Sequence, residues 1–277
     1  MGGLIVLAVL ILLAMSAPLV EAALGLDATT VDLSARMQSP SAVHWLGTDE
    51  LGRDVLVRLL YGGRVSLLVG LTAALAATVI GSVIGLTAGY FGGRTDAILM
   101  RFTDSVLALP ALPLLIVLAA VDLDKVLPET LAGSQTVSLL RIVLIVALLG
   151  WTTVARLVRG ASLALTRQDF VLAAEGYGGG HLSIMFRHIL PNLLSPIIVA
   201  VTLSIGHVIL LESVLSFLGL GIQPPMASWG NMLTNAQETI WEVPMLAIYP
   251  GLFIFVTVIS FNFLGDGLQD AFDPKAG

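Results

Sequence analysis

Three observations predict an all-α integral membrane protein with six transmembrane helices. Apolar residues make up 57% of the 277 positions and charged residues only 12%, against roughly 25% charged in a soluble domain. The mean hydropathy is +0.96. The apolar residues also gather into six runs, each long enough to cross a hydrocarbon core about 30 Å thick at about 1.5 Å per residue. In lipid a helix satisfies its own backbone groups, whereas an open sheet cannot.

The first run, Gly3 to about Ala23, reads as a retained span. Met1-Gly2-Gly3 lacks the positive start of a signal peptide, and Leu4–Val20 is longer than a signal core. Any cytoplasmic tail before it is expected to be very short or absent. Gly25–Arg64 follows, with Asp49, Glu50, Arg53, Asp54 and Arg58, and its last third predicts a short amphipathic helix at the interface. The second span, Val65–Tyr90, carries small residues from Gly70 to Gly89 that allow close helix packing or sliding. After a Gly-rich turn, Leu99–Val121 contains Pro110 and Pro113, and each is expected to bend it. A short acidic connection, Asp122–Thr136, leads to Val137–Val158. Leu193–Leu218 and Ala247–Leu264 complete the six, and the loop between them places Pro224, Pro225, Trp229 and Trp241 near an interface. The chain thus divides into a first helix (1–24), an extracytoplasmic segment with an interfacial helix (25–64) and a five-helix core (65–277) that includes the loop 159–192.

Several functions are excluded or disfavoured. With no cysteine there is neither a disulfide nor a thiolate metal site, and the lysines, Lys125 and Lys275, make no basic nucleic-acid surface. Val126 and Ala276 follow them, so neither completes a phosphate-binding loop, and energy must come from elsewhere. His44, His181, His188 and His207 share no ligand spacing. Asp104 has no second aspartate at span depth, and His207 has no evident Ser or Asp partner for protease chemistry.

The loop 159–192 is long and polar for a connection inside a bundle. Asp169 is expected to cap a short helix with Phe170, Ala173 and Ala174 on one face, and the glycines from Gly176 onward end it. A second amphipathic piece, Leu182–Leu190, returns to the membrane, with Pro191 at the start of the next helix. Arg156, Arg159, Arg167 and Arg187 surround this loop and place it in the cytoplasm, although arginines elsewhere nearly balance the two sides. Such a helix suits docking into another protein's cleft. In Leu193–Leu218, the isolated Glu212 lies near the outer end, within reach of water or an arginine. Three roles are open to it: a structural or gating hydrogen bond, lining a substrate path, or a proton relay.

Ala173, Ala174, Gly178, Leu190 and Pro191 fall on a pattern that resembles the coupling-helix motif of ABC-importer permeases. Leu46–Asp54, Arg187–Asn192, Leu215–Gly221, Gln223-Pro224-Pro225, Ser228-Trp229-Gly230, Phe261–Leu268 and Asp273-Pro274 are similar, in that order, to stretches of the C-type permeases of dipeptide and oligopeptide importers. The resemblance covers Leu46 to Pro274. It implies a six-helix type I importer permease with both termini in the cytoplasm of the cell membrane. The implied partners are a second permease, two ATPases that hold ATP and Mg, and an extracytoplasmic peptide-binding protein. No cofactor is expected in this chain. The ATPase-coupling residues it implies are Phe170, Leu172, Ala173, Ala174, Glu175, Gly178, Leu190 and Pro191. Independently of the resemblance, the charge of Glu212 within a span and the prolines Pro110 and Pro113 make these three the candidate gate or path residues. Leu172 stands where the motif has Glu and His188 where it has an aliphatic residue. Apolar contact, or Glu175 as a substitute, is then expected at the ATPase. The outer charges around Asp49 gain a second reading as a contact for the binding protein.

Overall fold

The computed structural model describes residues 2–121 and 135–272. Lys125, Lys275, Asp273-Pro274 and most of the acidic connection lie outside them. Among the described residues, four helices are long and apolar enough to cross a membrane, or up to six if each of two bent pairs is one span.

The first run is one such pair, α1 (Gly2–Met15) and α2 (Ala17–Leu24), bent by 47°. Pro18 cannot donate to the turn before it, and Ser16 Oγ instead donates to Leu13 O at 2.7 Å.

The expected interfacial helix is not separate. Its residues from Val55 onward are the first turns of α3 (Val55–Phe91), which at 37 residues is about 55 Å long. Asp54 caps it, accepting from Val57 N at 2.8 Å. The charges before it close a buried knot. Asp49 accepts from Arg53 Nε at 2.7 Å and lies 3.3 Å from Arg58 Nε, while Asp54 meets His44 Nδ1 at 3.0 Å. The i,i+4 spacing of Asp49 and Arg53 mimics a helical pair. Gly52, at φ +75° and with Asp32 O where its Cβ would be, breaks any helix there.

The third run is broken much more sharply than two bends in one span. α4 (Gly93–Leu107) and α5 (Ala111–Ala119) cross at 80°. Pro110 makes the break, since it lacks a donor, sits extended at φ −66°, ψ 118°, and disfavours a helical Leu109. Pro113 bends nothing, because in the first turn of α5 its missing N–H has no intrahelical acceptor to lose.

α6 (Gln135–Leu165) leads to α7 (Asp169–Gly176). α8 (His181–Ile184) then runs through a π-turn, Met185–Ile189, into α9 (Leu190–Phe217). The wide turn accommodates Pro191, and Asn192 Nδ2 donates to His188 O at 2.7 Å. A 3₁₀ turn (Asn231–Leu233), α10 (Ala236–Thr239) and α11 (Met245–Phe272) follow.

The closest seam is α3 against α6, where the small residues of α3 face inward. A Cβ on Gly81 would stand 2.5 Å from Trp151 O, and one on Gly89 2.6 Å from Ser162 Cβ. On the same row, Gly85 would strike Ala155 O. α9 packs on α3, α6 and α11, and α1 spans α3 and α11. The opposite stripe of α3, Leu68, Leu71, Leu75 and Val79, is aliphatic and exposed. Two arginines near the loop 159–192 also bind the bundle together. Arg156 pairs with Asp104 of α4 at 2.5 Å, and Arg159 Nη2 donates to Asp96 at 2.6 Å.

Candidate functional site

α7 and its flanks are built from local sequence. Asp169 is the first helical residue rather than the cap, which is Gln168 and makes no side-chain hydrogen bond. Its carboxylate still lies in the first turn, where the helix dipole favours negative charge. At the other end Gly179 N donates to Ala174 O at 3.0 Å and Gly178 takes φ +80°, which suits glycine and reverses the chain.

The two sides of α7 differ from the expected face. Val171 is fully buried, and Ala174 packs with it against Leu86, Val154, Val158, Ile184 and Leu193, with Leu190 alongside. Ala174 therefore belongs to the inner face. The outer face carries Phe170, Ala173 and Tyr177 at i, i+3 and i+7, with Leu172 and Glu175 beside them. Tyr177 is 94% exposed. Gly178 is also exposed, and Pro191 lies apart on α9 and is exposed. Tyr177 is a site residue the sequence reading missed, although its spacing from Phe170 was a legible signal. A second was Tyr90, whose hydroxyl lies 2.9 Å from His181 Nδ1 and ties the end of α3 to the start of α8.

A buried anchor holds the opposite end of the bundle. Glu212 is fully buried, and its partners among the described residues are serines rather than an arginine. Ser216 Oγ donates to it at 2.7 Å and Ser66 Oγ at 3.3 Å. Each hydroxyl is itself an acceptor, Ser216 from Ile222 N at 3.0 Å and Ser66 from Trp229 N at 3.1 Å. The network pins the loop between α9 and α11 onto α3 and α9. Trp229, expected near an interface, is instead a core plug, 1% exposed, with Nε1 donating to Leu59 O at 3.0 Å. Trp241 is 91% exposed. Replacing Glu212 by leucine leaves two buried hydroxyls without an acceptor, at about 1–3 kcal/mol each. Thermal unfolding in detergent should show Glu212→Leu well below wild type and Glu212→Gln between them; equal midpoints would mean that the network carries no stability.

α7 is therefore a short helix fixed to the bundle by one face and presenting an apolar outer face. That suits mechanical docking, since exposed apolar surface rimmed by polar groups marks contact sites.

Residues 81–277 match the family described as binding-protein-dependent transport system inner membrane component. The dipeptide transport system permease protein of Alkalihalophilus pseudofirmus is 40% identical over 99% of this chain and 84% of its own length. The oligopeptide transport system permease protein of Bacillus subtilis is 39% identical over 99% of this chain and 85% of its own. The glutathione transport system permease protein of Pectobacterium atrosepticum is 43% identical over 86% and 75%. Among solved structures, an amino acid ABC transporter with histidines aligns with TM-score 0.53 and 16% identity, covering 77% of this chain and 94% of that one. At that identity the likeness concerns the fold.

Proposed function

The chain belongs to the binding-protein-dependent transport system inner membrane component family, and on that premise we propose that it is one permease half of an ATP-driven importer of dipeptides or oligopeptides. It is a multi-pass membrane protein. The observation that carries the proposal is α7, a helix held by Val171 and Ala174 with Phe170, Leu172, Ala173 and Tyr177 turned outward.

In this reading both termini and α7 are cytoplasmic. A second permease completes the path, an extracytoplasmic binding protein delivers the peptide, and two ATPases bind ATP and Mg. No covalent step occurs in this chain. Closure of the ATPases moves α7, and the spans rock between outward- and inward-open states that nucleotide binding populates differently. Leu172 then meets the ATPase by apolar contact, with Glu175 as the neighbouring carboxylate. Pro110, at the break between α4 and α5, and Glu212 are candidates for the moving or gating parts, and Pro113 stabilises the start of α5.

A glutathione cargo is the second reading, favoured by the 43% identity to the glutathione-system permease. Purification of the tagged chain in mild detergent should recover a second permease and an ATPase whose hydrolysis rises when peptide-loaded binding protein is added. Recovery without an ATPase, or uptake that persists without one, would refute the proposal.

A further inference from the structure

His207 lies on α9 about 25 Å from Leu190 and about 15 Å from Phe217, close to the middle of the span. Its side chain is exposed. The same stripe continues outward through Leu210, Val214 and Leu218, all exposed, at i+3, i+7 and i+11. Toward the cytoplasm the stripe is closed, since Leu193 and Ala200 are buried and Leu203 lies 2.6 Å from where a Cβ on Gly265 of α11 would stand. His207 thus stands at the inner end of a stripe that is exposed along the outer half of α9. A second polar side chain borders it. Asn262 of α11 is exposed, and its Oδ1 lies 3.6 Å from where a Cβ on Gly206 would stand.

An ionisable residue at span depth faces a bundle interior or a water-filled cavity, because the bilayer centre offers it no hydrogen-bond partners. The aliphatic stripe of α3, Leu68 to Val79, has no such group and suits lipid. We propose that the outer half of α9, centred on His207, forms part of the wall of the water-filled translocation path, and that His207 hydrogen-bonds the backbone or terminal carboxylate of the passing peptide. This rests on the importer reading above, but the two can fail separately.

The chain has no cysteine, so single-cysteine variants report one position each. His207→Cys and, as the comparator, Leu75→Cys would be assembled with their partner subunits in proteoliposomes. They would be treated with a charged, membrane-impermeant methanethiosulfonate, and labelling of this chain read by mass. The expected result is modification at 207 but not at 75, slower modification at 207 with peptide present, and loss of most ATP-dependent uptake on modification. Labelling at 207 only by a lipid-soluble maleimide, by neither reagent, or no faster than at 75 would overturn the proposal. If His207→Cys does not assemble, Val214→Cys on the same stripe gives the same reading. Uptake by the unmodified assembly is measured first; its absence counts against the importer reading, whereas the labelling contrast decides the wall.

Discussion

Replacing Gly85 by leucine is expected to prevent stable assembly of this protein. At that point α3 and α6 approach so closely that even a Cβ would strike Ala155 O, and would lie 2.9 Å from both Arg159 N and Val158 Cβ. Two of those three atoms are backbone, so no rotamer change relieves the contact. The helices must separate, opening the layer that buries Leu86, Val154 and Val158. Overpacking costs about 1–3 kcal/mol where side chains can yield, and against backbone the upper end is the floor. Gly160→Ala is the control, because a Cβ there meets nothing within 4 Å. It removes a flexible helical glycine, which favours the helix by roughly 0.5–1 kcal/mol. Size-exclusion profiles and unfolding midpoints in detergent should separate the two. A monodisperse Gly85→Leu protein with the wild-type midpoint would mean that the seam is not packed as described.

The second large effect lies on α7, where neighbouring alanines should fail for different reasons. Ala173 is exposed and Ala174 lies on the cluster around Val171. Ala173→Arg should leave the unfolding midpoint of the isolated chain unchanged while abolishing ATPase recovery and uptake. Placing a bulky charge at the centre of a docked face costs about 2 kcal/mol or more, roughly thirtyfold in association. Ala174→Arg should lower the midpoint itself, because the arginine stem must push out of an apolar layer. If Ala173→Arg binds ATPase and transports normally, the outer face of α7 is not the docking face. If Ala174→Arg unfolds at the wild-type temperature, the inner face has been assigned wrongly.

Both assignments refine what the linear pattern offered. Three exposed residues at i, i+3 and i+7 were present in the sequence, but the two acids of this eight-residue helix, Asp169 and Glu175, stand near opposite ends and define no single polar side to orient it. Only the cluster made by distant Leu86, Val154 and Leu193 selects Val171 and Ala174 for the inside. Glu212 shows the same dependence. Of its partners, Ser216 stands at i+4 on the same helix and was legible, but Ser66 lies 146 residues away and only the packing of α3 on α9 brings it there. The outer charges gave a positively misleading signal, because the Asp49–Arg53 spacing serves a helix and a closed turn equally well.

By itself the sequence determined that this chain lives in a membrane, roughly where each span runs, and where the short helix of the loop lies. Those properties are local: about twenty apolar residues must hydrogen-bond their own backbone in lipid, and the glycines after Glu175 end the short helix where they stand. Tertiary structure alone decided which face of α7 is presented, that Trp229 is a plug, and that the small residues of α3 meet α6. Each of these depends on which distant surface comes to lie against a given side of a helix, and that is settled only when the spans pack together.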